Sequence, residues 1–107
     1  MTDIDLLLEQ ARKKSEDYGN LYGLKETSDD YLKTCYALLY QSARGDTVAD
    51  RDSWVKSQAE YAKAIDRKAN AYSAWKTAET YMKLLFAEAE VWRTKQANNR
   101  YMDSAHR

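Results

Sequence analysis

The feature that most constrains this chain is the stretch from Val48 to Ser104, which contains neither proline nor glycine. Alanine, lysine, glutamate, glutamine and arginine fill most positions between its large apolar residues, and these side chains lose little rotamer freedom in a helix. The stretch therefore predicts one helix about 85 Å long, at 1.5 Å per residue. Such a helix is too long to bury its apolar side within a monomer of 107 residues, so another element must cover it.

The apolar positions of this predicted helix recur about every 3.5 residues, the spacing of a left-handed coiled-coil seam. They are Trp54, Tyr61, Ile65, Tyr72, Trp75, Ala78, Met82, Leu85, Ala89 and Trp92. Between Tyr81 and Trp92 the helix is apolar on nearly all sides, which favours burial on nearly all sides. The chain's own second helix accounts for one side, and we expect a second subunit on the other. The expected oligomer interface consists of Trp54, Tyr61, Ile65, Tyr72, Trp75, Met82, Leu85 and Trp92.

The first half of the chain reads as shorter elements. Thr2 and Asp5 form a capping pair that opens a docking helix over residues 1–18. Two glycines and several turn-forming residues predict a hinge over 19–30. A second helix is expected over 28–44, ended by a left-handed Gly45.

The long helix over 47–104 then begins at a second capping pair, Thr47 with Asp50. Its weakest point is near Asn70, where a bend is possible because asparagine and serine side chains compete for backbone hydrogen bonds. Together these elements predict a single all-α helical domain over 1–107. It consists of a short N-terminal helix and an antiparallel helical hairpin with one very long C-terminal helix, in a coiled-coil-type oligomer.

The charge is balanced overall but not along the chain. Lysine plus arginine and aspartate plus glutamate each number 17. Residues 1–53 carry 7 basic and 11 acidic groups (net −4), and residues 54–107 carry 10 basic and 6 acidic groups (net +4). This asymmetry fits either packing of the acidic half on the basic half or a basic half that faces a polyanion.

The lone Cys35 fits a buried small side chain in a reducing cytoplasm. The chain contains no apolar run of the length that spans a bilayer. We therefore expect a soluble cytoplasmic protein that does not enter a membrane.

Residues for catalysis are nearly absent. The single histidine, His106, is the penultimate residue, and one cysteine with one terminal histidine cannot form a zinc cluster. No glycine-rich phosphate loop occurs. The sequence therefore predicts a non-enzymatic protein without a metal or cofactor.

Basic residues interleaved with aromatic and amide side chains are the stronger signal. Arg93, Arg100 and Arg107 recur every seven residues, with Lys95 and Tyr101 close by. Two interpretations fit this run equally: a helix end that faces water, or a surface that follows the phosphate backbone of a nucleic acid.

A second set is spaced by three or four residues, which places its members on one helix face: Lys33, Tyr36, Tyr40 and Arg44. It is either a packing face flanked by cations or a face on which single-stranded bases stack.

At these residues the chain resembles the UvsY family of phage recombination mediators. Leu32-Lys33 followed by Tyr36, Tyr40, Ser42, Arg44 and Gly45 is similar to the family's LKxRxxYYSGR-type motif. The later resemblance comprises Asp66, Tyr72, Trp75, Lys76, the block Leu84 to Phe86, Glu90, Trp92, Arg93 and Arg100. The resemblance covers about Leu32 to Asp103.

The resemblance implies an oligomeric accessory protein of the host-cell cytoplasm that binds single-stranded DNA. Such a protein helps to load a strand-exchange recombinase in place of a single-strand-binding protein. Lys33 and Arg44 carry over as DNA contacts. Cys35 departs from the motif, since it stands where the family has a second basic residue.

The expected DNA-binding residues are Lys33, Tyr36, Tyr40, Arg44, Arg93, Lys95 and Arg100. Two other functions fit the same residues. A small phage-type helical protein could bind and inhibit a host protein through exposed tyrosines. A structural coiled-coil protein could instead pair its basic end with an acidic half of a neighbour.

Overall fold

The computed structural model describes residues 2–105 and consists of three helices: α1 (Asp3–Gln41), α2 (Val48–Lys56) and α3 (Ala59–Ala105). No strand occurs in this part of the chain. The predicted all-α class with a very long C-terminal helix is confirmed, since α3 alone has 47 residues. His106 and Arg107, which the sequence analysis considered, lie outside the described residues.

Contacts divide the chain into two compact units. The turn unit is Asn20–Lys76, and it contains the later part of α1, all of α2 and the start of α3. The terminal unit consists of the residues up to Gly19 and those from Thr77 onward. The sequence predicts a single helical domain over residues 1–107.

Both predicted capping pairs are confirmed. The Thr2 hydroxyl donates to the Asp5 carboxylate at 2.7 Å, and the Asp5 backbone N–H donates back to the Thr2 hydroxyl at 3.3 Å. The hydrogen bonds that the Asp5 carboxylate accepts from Thr2 lower the pKa of Asp5 below its usual value. Thr47 caps α2 by accepting a hydrogen bond from the backbone N–H of Asp50 at 3.1 Å. Each pair satisfies amide groups that the first turn of a helix leaves without a partner.

The predicted hinge over 19–30 is wrong, because α1 is helical from Asp3 to Gln41. Two glycines inside a helix cost about 1 kcal/mol each, but packing on α3 offsets this cost. In the turn unit Lys25 lies over the ring of Trp75, 4.8 Å from its centroid, and Ser28 is only 3 % exposed. The polar Thr27 is compatible with the helix because its hydroxyl donates to the carbonyl of Gly23 at 2.9 Å.

The single helix predicted over 47–104 is also wrong, because α2 and α3 are separated at Ser57 and Gln58. The Ser57 hydroxyl and the Gln58 amide both donate to the carbonyl of Trp54, at 2.6 and 2.9 Å. Side chains that occupy a main-chain carbonyl in this way compete with the helical ladder. By contrast, α3 continues without interruption through Asn70.

In the turn unit, α1 and α3 pack antiparallel. Asp29 on α1 meets Lys68 on α3 at 2.9 Å, while seven residues further along α1 the ring of Tyr36 meets that of Tyr61. Residues with higher numbers on α1 thus contact residues with lower numbers on α3, as antiparallel packing requires. Ala64 is 1 % exposed in this contact, and Val55 of α2 is fully buried.

The terminal unit repeats the antiparallel arrangement with other residues. Tyr18 shares a groove with Met82, while Leu7, nearer the start of α1, shares another with Trp92, which lies further along α3. Leu85 is 5 % and Ala78 is 9 % exposed. The seam predicted for α3 therefore has a partner helix within the chain, namely α1.

Three of the predicted seam residues lie outside this seam, the first being Trp54, which is on α2. The other two, Ile65 and Tyr72, are 42 % and 46 % exposed, because the seam in the turn unit runs through the smaller Ala64 and Ala71, the first buried and the second half-buried. The periodicity predicts burial of the large side chains, whereas the structure buries the small side chains next to them. Apart from Ile65 and Tyr72, the predicted interface residues are half-buried or buried within the chain: Trp54, Tyr61, Trp75, Met82, Leu85 and Trp92.

The seam predicts a large difference between two leucine truncations. Leu85→Ala removes a buried side chain and is expected to lower the free energy of unfolding by about 2–4 kcal/mol. Leu38→Ala truncates a side chain that is 60 % exposed and is expected to change it by less than about 0.5 kcal/mol. Urea denaturation followed by circular dichroism measures both values, and equal effects would contradict the burial of Leu85.

The continuity of α1 predicts that a glycine in the expected hinge can be replaced with a gain in stability. A Cβ atom added at Gly23 would meet nothing within 4 Å, so Gly23→Ala is expected to raise the free energy of unfolding by about 0.5–1 kcal/mol. Gly45→Ala is the matched control. Gly45 has φ +144° and its added Cβ would lie 2.5 Å from the Cβ of Asp50, so this change destabilises. A lower melting temperature for Gly23→Ala would contradict a helical segment.

Candidate nucleic-acid interface

The first predicted DNA-binding face lies in the turn unit and is not a single helix face. Lys33, Tyr36 and Tyr40 are on α1, but α1 ends at Gln41, and Arg44 lies in the loop before α2. The last turn closes when Ser42 and Ala43 donate to carbonyls three residues earlier, at 3.0 and 3.1 Å. The prediction that all four residues share one helix face is therefore wrong for Arg44.

Tyr36 is held by the protein itself. Its hydroxyl donates to the Asp52 carboxylate at 2.6 Å, and its ring stacks on Tyr40 with centroids 6.0 Å apart. On another side it meets the edge of Tyr61 at 6.1 Å. Tyr36 thus takes part in packing α1 against α2 and α3, through its hydroxyl and its contact with Tyr61.

The hydrogen bond between Tyr36 and Asp52 shifts the pKa of both groups. The hydrogen bond to this carboxylate raises the pKa of Tyr36 to about 12. The same bond, followed by the hydrogen bond from Lys56, lowers the pKa of Asp52. Lys56 lies 3.0 Å from Asp52, so a tyrosine, a carboxylate and a lysine form one connected group.

Lys33 is 74 % exposed and lies 3.4 Å from Asp29. Asp29 also contacts Lys68 at 2.9 Å, and the two hydrogen bonds, that of Lys68 first, lower its pKa. Arg44 is exposed in the loop. Both cations can therefore reach a phosphate, but the two tyrosines between them are only partly accessible.

The second predicted face lies at the end of α3 in the terminal unit. Arg93 and Arg100 line one shallow groove together with Trp92, Thr94 and Ala97. The Arg93 guanidinium pairs with Glu90 at 2.8 Å, with both side chains about 70 % exposed. An ion pair so exposed contributes little and is readily exchanged.

Lys95 does not share this groove. It lines a different one, with Asp3, Leu7 and Glu88 among its neighbours, and two of these neighbours are acidic. Tyr101 is 73 % exposed. The structure thus brings Arg93 and Arg100 together and separates them from Lys95.

The sequence analysis missed an aromatic cluster in the turn unit. Trp75 meets the edge of Tyr22, with centroids 6.0 Å apart, and the tilted ring of Tyr72 at 5.6 Å. Lys25 and Lys76 lie over the Trp75 ring at 4.8 and 4.9 Å. Tyr22 and Tyr72 are 45 % and 46 % exposed. No sequence signal joins residues 22 and 75, since only the antiparallel pairing of α1 with α3 brings them together.

Within residues 2–105, no group of three or more histidine, cysteine, aspartate or glutamate side chains could hold a metal ion. None of the helices in this range has the length and apolarity that a bilayer crossing requires. Cys35 is half-buried, and its thiol lies 3.8 Å from the carbonyl oxygen of Glu60.

Comparison with known proteins adds no relative. No family model, no curated protein and no solved structure matches the chain. The resemblance to the UvsY family therefore stays a prediction from the residues that carry it.

The Tyr36–Asp52 hydrogen bond predicts a distinct titration. Of the nine tyrosines, Tyr36 is expected to ionise near pH 12, whereas an unperturbed tyrosine ionises near pH 10. Because the fold favours the protonated phenol, this contribution to stability is complete below about pH 10 and is lost as the pH rises through about 12. Absorbance at the phenolate band follows the titration.

Tyr36→Phe should remove this late step from the absorbance curve, and Tyr40→Phe should leave it in place. If the late step survives Tyr36→Phe, the assignment is wrong.

For Asp52 the dependence of stability on pH has the opposite sign. Because the fold lowers the pKa of Asp52, the ionised carboxylate contributes to stability above about pH 4. This contribution is lost as the pH falls through the folded-state pKa.

Proposed function

We propose that this protein is a non-enzymatic accessory protein of DNA recombination that binds single-stranded DNA as a homo-oligomer. It helps to load a strand-exchange recombinase in place of a single-strand-binding protein. The proposal rests on the resemblance to the UvsY family and on one structural observation, the exposed arginine pair at the end of α3.

The arginine pair has the geometry of a phosphate-binding surface. Arg93 and Arg100 are seven residues apart on one side of α3, a separation of about 10 Å along the axis. Every residue from Ala97 to Ala105 is exposed. The Arg100 Nε donates a long hydrogen bond of 3.4 Å to the carbonyl of Gln96. Guanidinium groups that are accessible in this way neutralise phosphates and release counterions.

The balanced total charge does not oppose this function. Binding of a polyanion depends on the local field, and the segment from Arg93 to Arg100 carries three basic residues and no acidic one. In an oligomer the arginine pair would be repeated in each subunit. Lys33 and Arg44, which the resemblance also implicates, would add phosphate contacts rather than a stacking platform, because Tyr36 is engaged within the fold.

A second candidate function is binding of a host protein, and the aromatic cluster favours it. Tyr22 and Tyr72 remain nearly half exposed beside Trp75. Tyrosine and tryptophan in such a position are typical centres of protein interfaces.

The proposed function predicts salt-sensitive binding of a labelled single-stranded oligonucleotide, measured by fluorescence anisotropy between about 50 and 200 mM salt. The variant Arg93→Gln/Arg100→Gln removes two phosphate contacts per subunit. It is expected to weaken binding at least tenfold and to reduce the slope of log K against log salt by about 1.4. The matched control, Arg12→Gln/Lys13→Gln, removes the same charge from exposed positions of α1 and should bind like the wild type.

The other outcomes are equally informative. Equal losses in both double variants would mean that net charge, rather than the arginine pair, controls binding. A wild-type protein that binds no DNA at low salt would contradict the proposed function. Tyr22→Ala and Tyr72→Ala variants would then test the host-protein alternative.

A further inference from the structure

The outward side of α3 in the terminal unit carries a stripe without charge. Its residues alternate in steps of four and three: Thr80, Leu84, Ala87, Val91, Thr94 and Asn98. All are exposed, Leu84 at 59 % and Val91 at 55 %. Tyr101 continues the stripe by a further step of three. The outward side of a helix facing only water normally carries the charged residues, so this stripe requires an explanation.

The spacing of the stripe is that of a second coiled-coil seam. Steps of four and three keep side chains on one line when the partner is another helix. The seam facing α1 uses Met82, Leu85 and Ala89, so most of the stripe points away from α1. Val91 lies at the edge of the stripe and also lines a groove with Leu6 and Leu7 of α1. The polar members are compatible with burial. The Thr94 hydroxyl, for example, already donates to the carbonyl of Glu90 at 3.0 Å.

The charges that flank the stripe identify its partner. Lys83 and Glu90 border it on one side, and Glu88 and Lys95 border it on the other. If a second α3 lies parallel and in register, a residue on the first border meets the residue five positions later on the second border of the other copy. Lys83 then meets Glu88 and Glu90 meets Lys95, which gives four attractive pairs by symmetry and no repulsive pair.

Antiparallel packing is less favourable. The register that joins Lys83 to Glu90 leaves Glu88 and Lys95 without opposite charges, and the next register places Glu88 against Glu88 and Glu90 against Glu90. Asn98 adds a further preference, because an asparagine in the first core position of a heptad pairs well with its own copy in a parallel dimer. Within the single chain, Lys83 forms an ion pair with Glu79 at 3.3 Å, and Arg93 forms one with Glu90. Exposed ion pairs of this kind are weak enough to be replaced by pairs between two chains.

We infer that the stripe from Thr80 to Tyr101 is the contact surface for a second copy of this chain, with the two α3 helices parallel and in register. The stripe shares no residue with the oligomer interface expected from the sequence. The parallel arrangement places Arg93 and Arg100 at the border of the contact, because Thr94 of the stripe lines their groove, and it brings both arginine pairs to the same end of the dimer. The inference does not depend on DNA binding, because oligomer mass and DNA affinity are measured separately.

The first test is sedimentation of the full chain from about 1 μM to about 1 mM. The wild type should pass from monomer to dimer as concentration rises. Leu84→Asp/Val91→Asp should remain a monomer with unchanged helical content, and Leu38→Asp, at an exposed position of the turn unit, should dimerise like the wild type. A wild type that is monomeric throughout, or a dimer that survives the double substitution, would overturn the inference.

The second test fixes the partner's direction. Lys83→Glu should weaken the dimer at least tenfold, and adding Glu88→Lys should restore it. In a Cys35→Ser background, Asn98→Cys should form an intermolecular disulfide on oxidation, because a parallel register places residue 98 beside its own copy. Glu9→Cys, at an exposed position of α1, serves as the control. Failure of both the rescue and the cross-link would refute the parallel register.

Discussion

The packing of α3 on α1 is the contact on which the rest of the structure depends. Helix propensity alone does not hold 39 residues of α1 in one helix across two glycines. What holds them is a line of side chains that the antiparallel partner buries, with Ala64, Ala78 and Leu85 nearly inaccessible to solvent. Two of these three buried positions are alanine, so small side chains lie at the centre of the contact.

This seam also decides which residues remain outside. Once one line of α3 faces α1, the helical period fixes the arginine pair on one flank and the charge-free stripe on the outward side. The same packing engages Tyr36 with Asp52 and Tyr61. Tyr36 is therefore less accessible than the first predicted DNA-binding face requires. One structural element thus makes one predicted DNA face less accessible and leaves the other open.

The sequence predicted the fold class and both capping pairs because these depend on local chemistry. Asp5 stands three residues after Thr2, and Asp50 stands three after Thr47, so their contacts need no knowledge of the tertiary structure. The hinge over 19–30 was mispredicted for the opposite reason. The local cost of Gly19 and Gly23 is visible in the sequence, whereas the packing that offsets it comes from residues about fifty positions away.

The candidate site shows the same division. The seven-residue spacing of Arg93 and Arg100 was legible in the sequence, and the structure places both in one groove. The Tyr36–Asp52 bond and the cluster around Trp75 join residues that only the fold brings together. The seam in the turn unit differs from the predicted one because it runs through the small Ala64 and Ala71 and leaves the larger Ile65 and Tyr72 exposed.

The most direct measurement of the central claim is the ellipticity at 222 nm as the protein is diluted through the range in which it becomes monomeric. If α1 covers the seam of α3 within one chain, the monomer keeps its full helical content at every dilution. If helical content falls together with the mass, the seam is completed by another subunit, and the packing of α3 on α1 described above is contradicted.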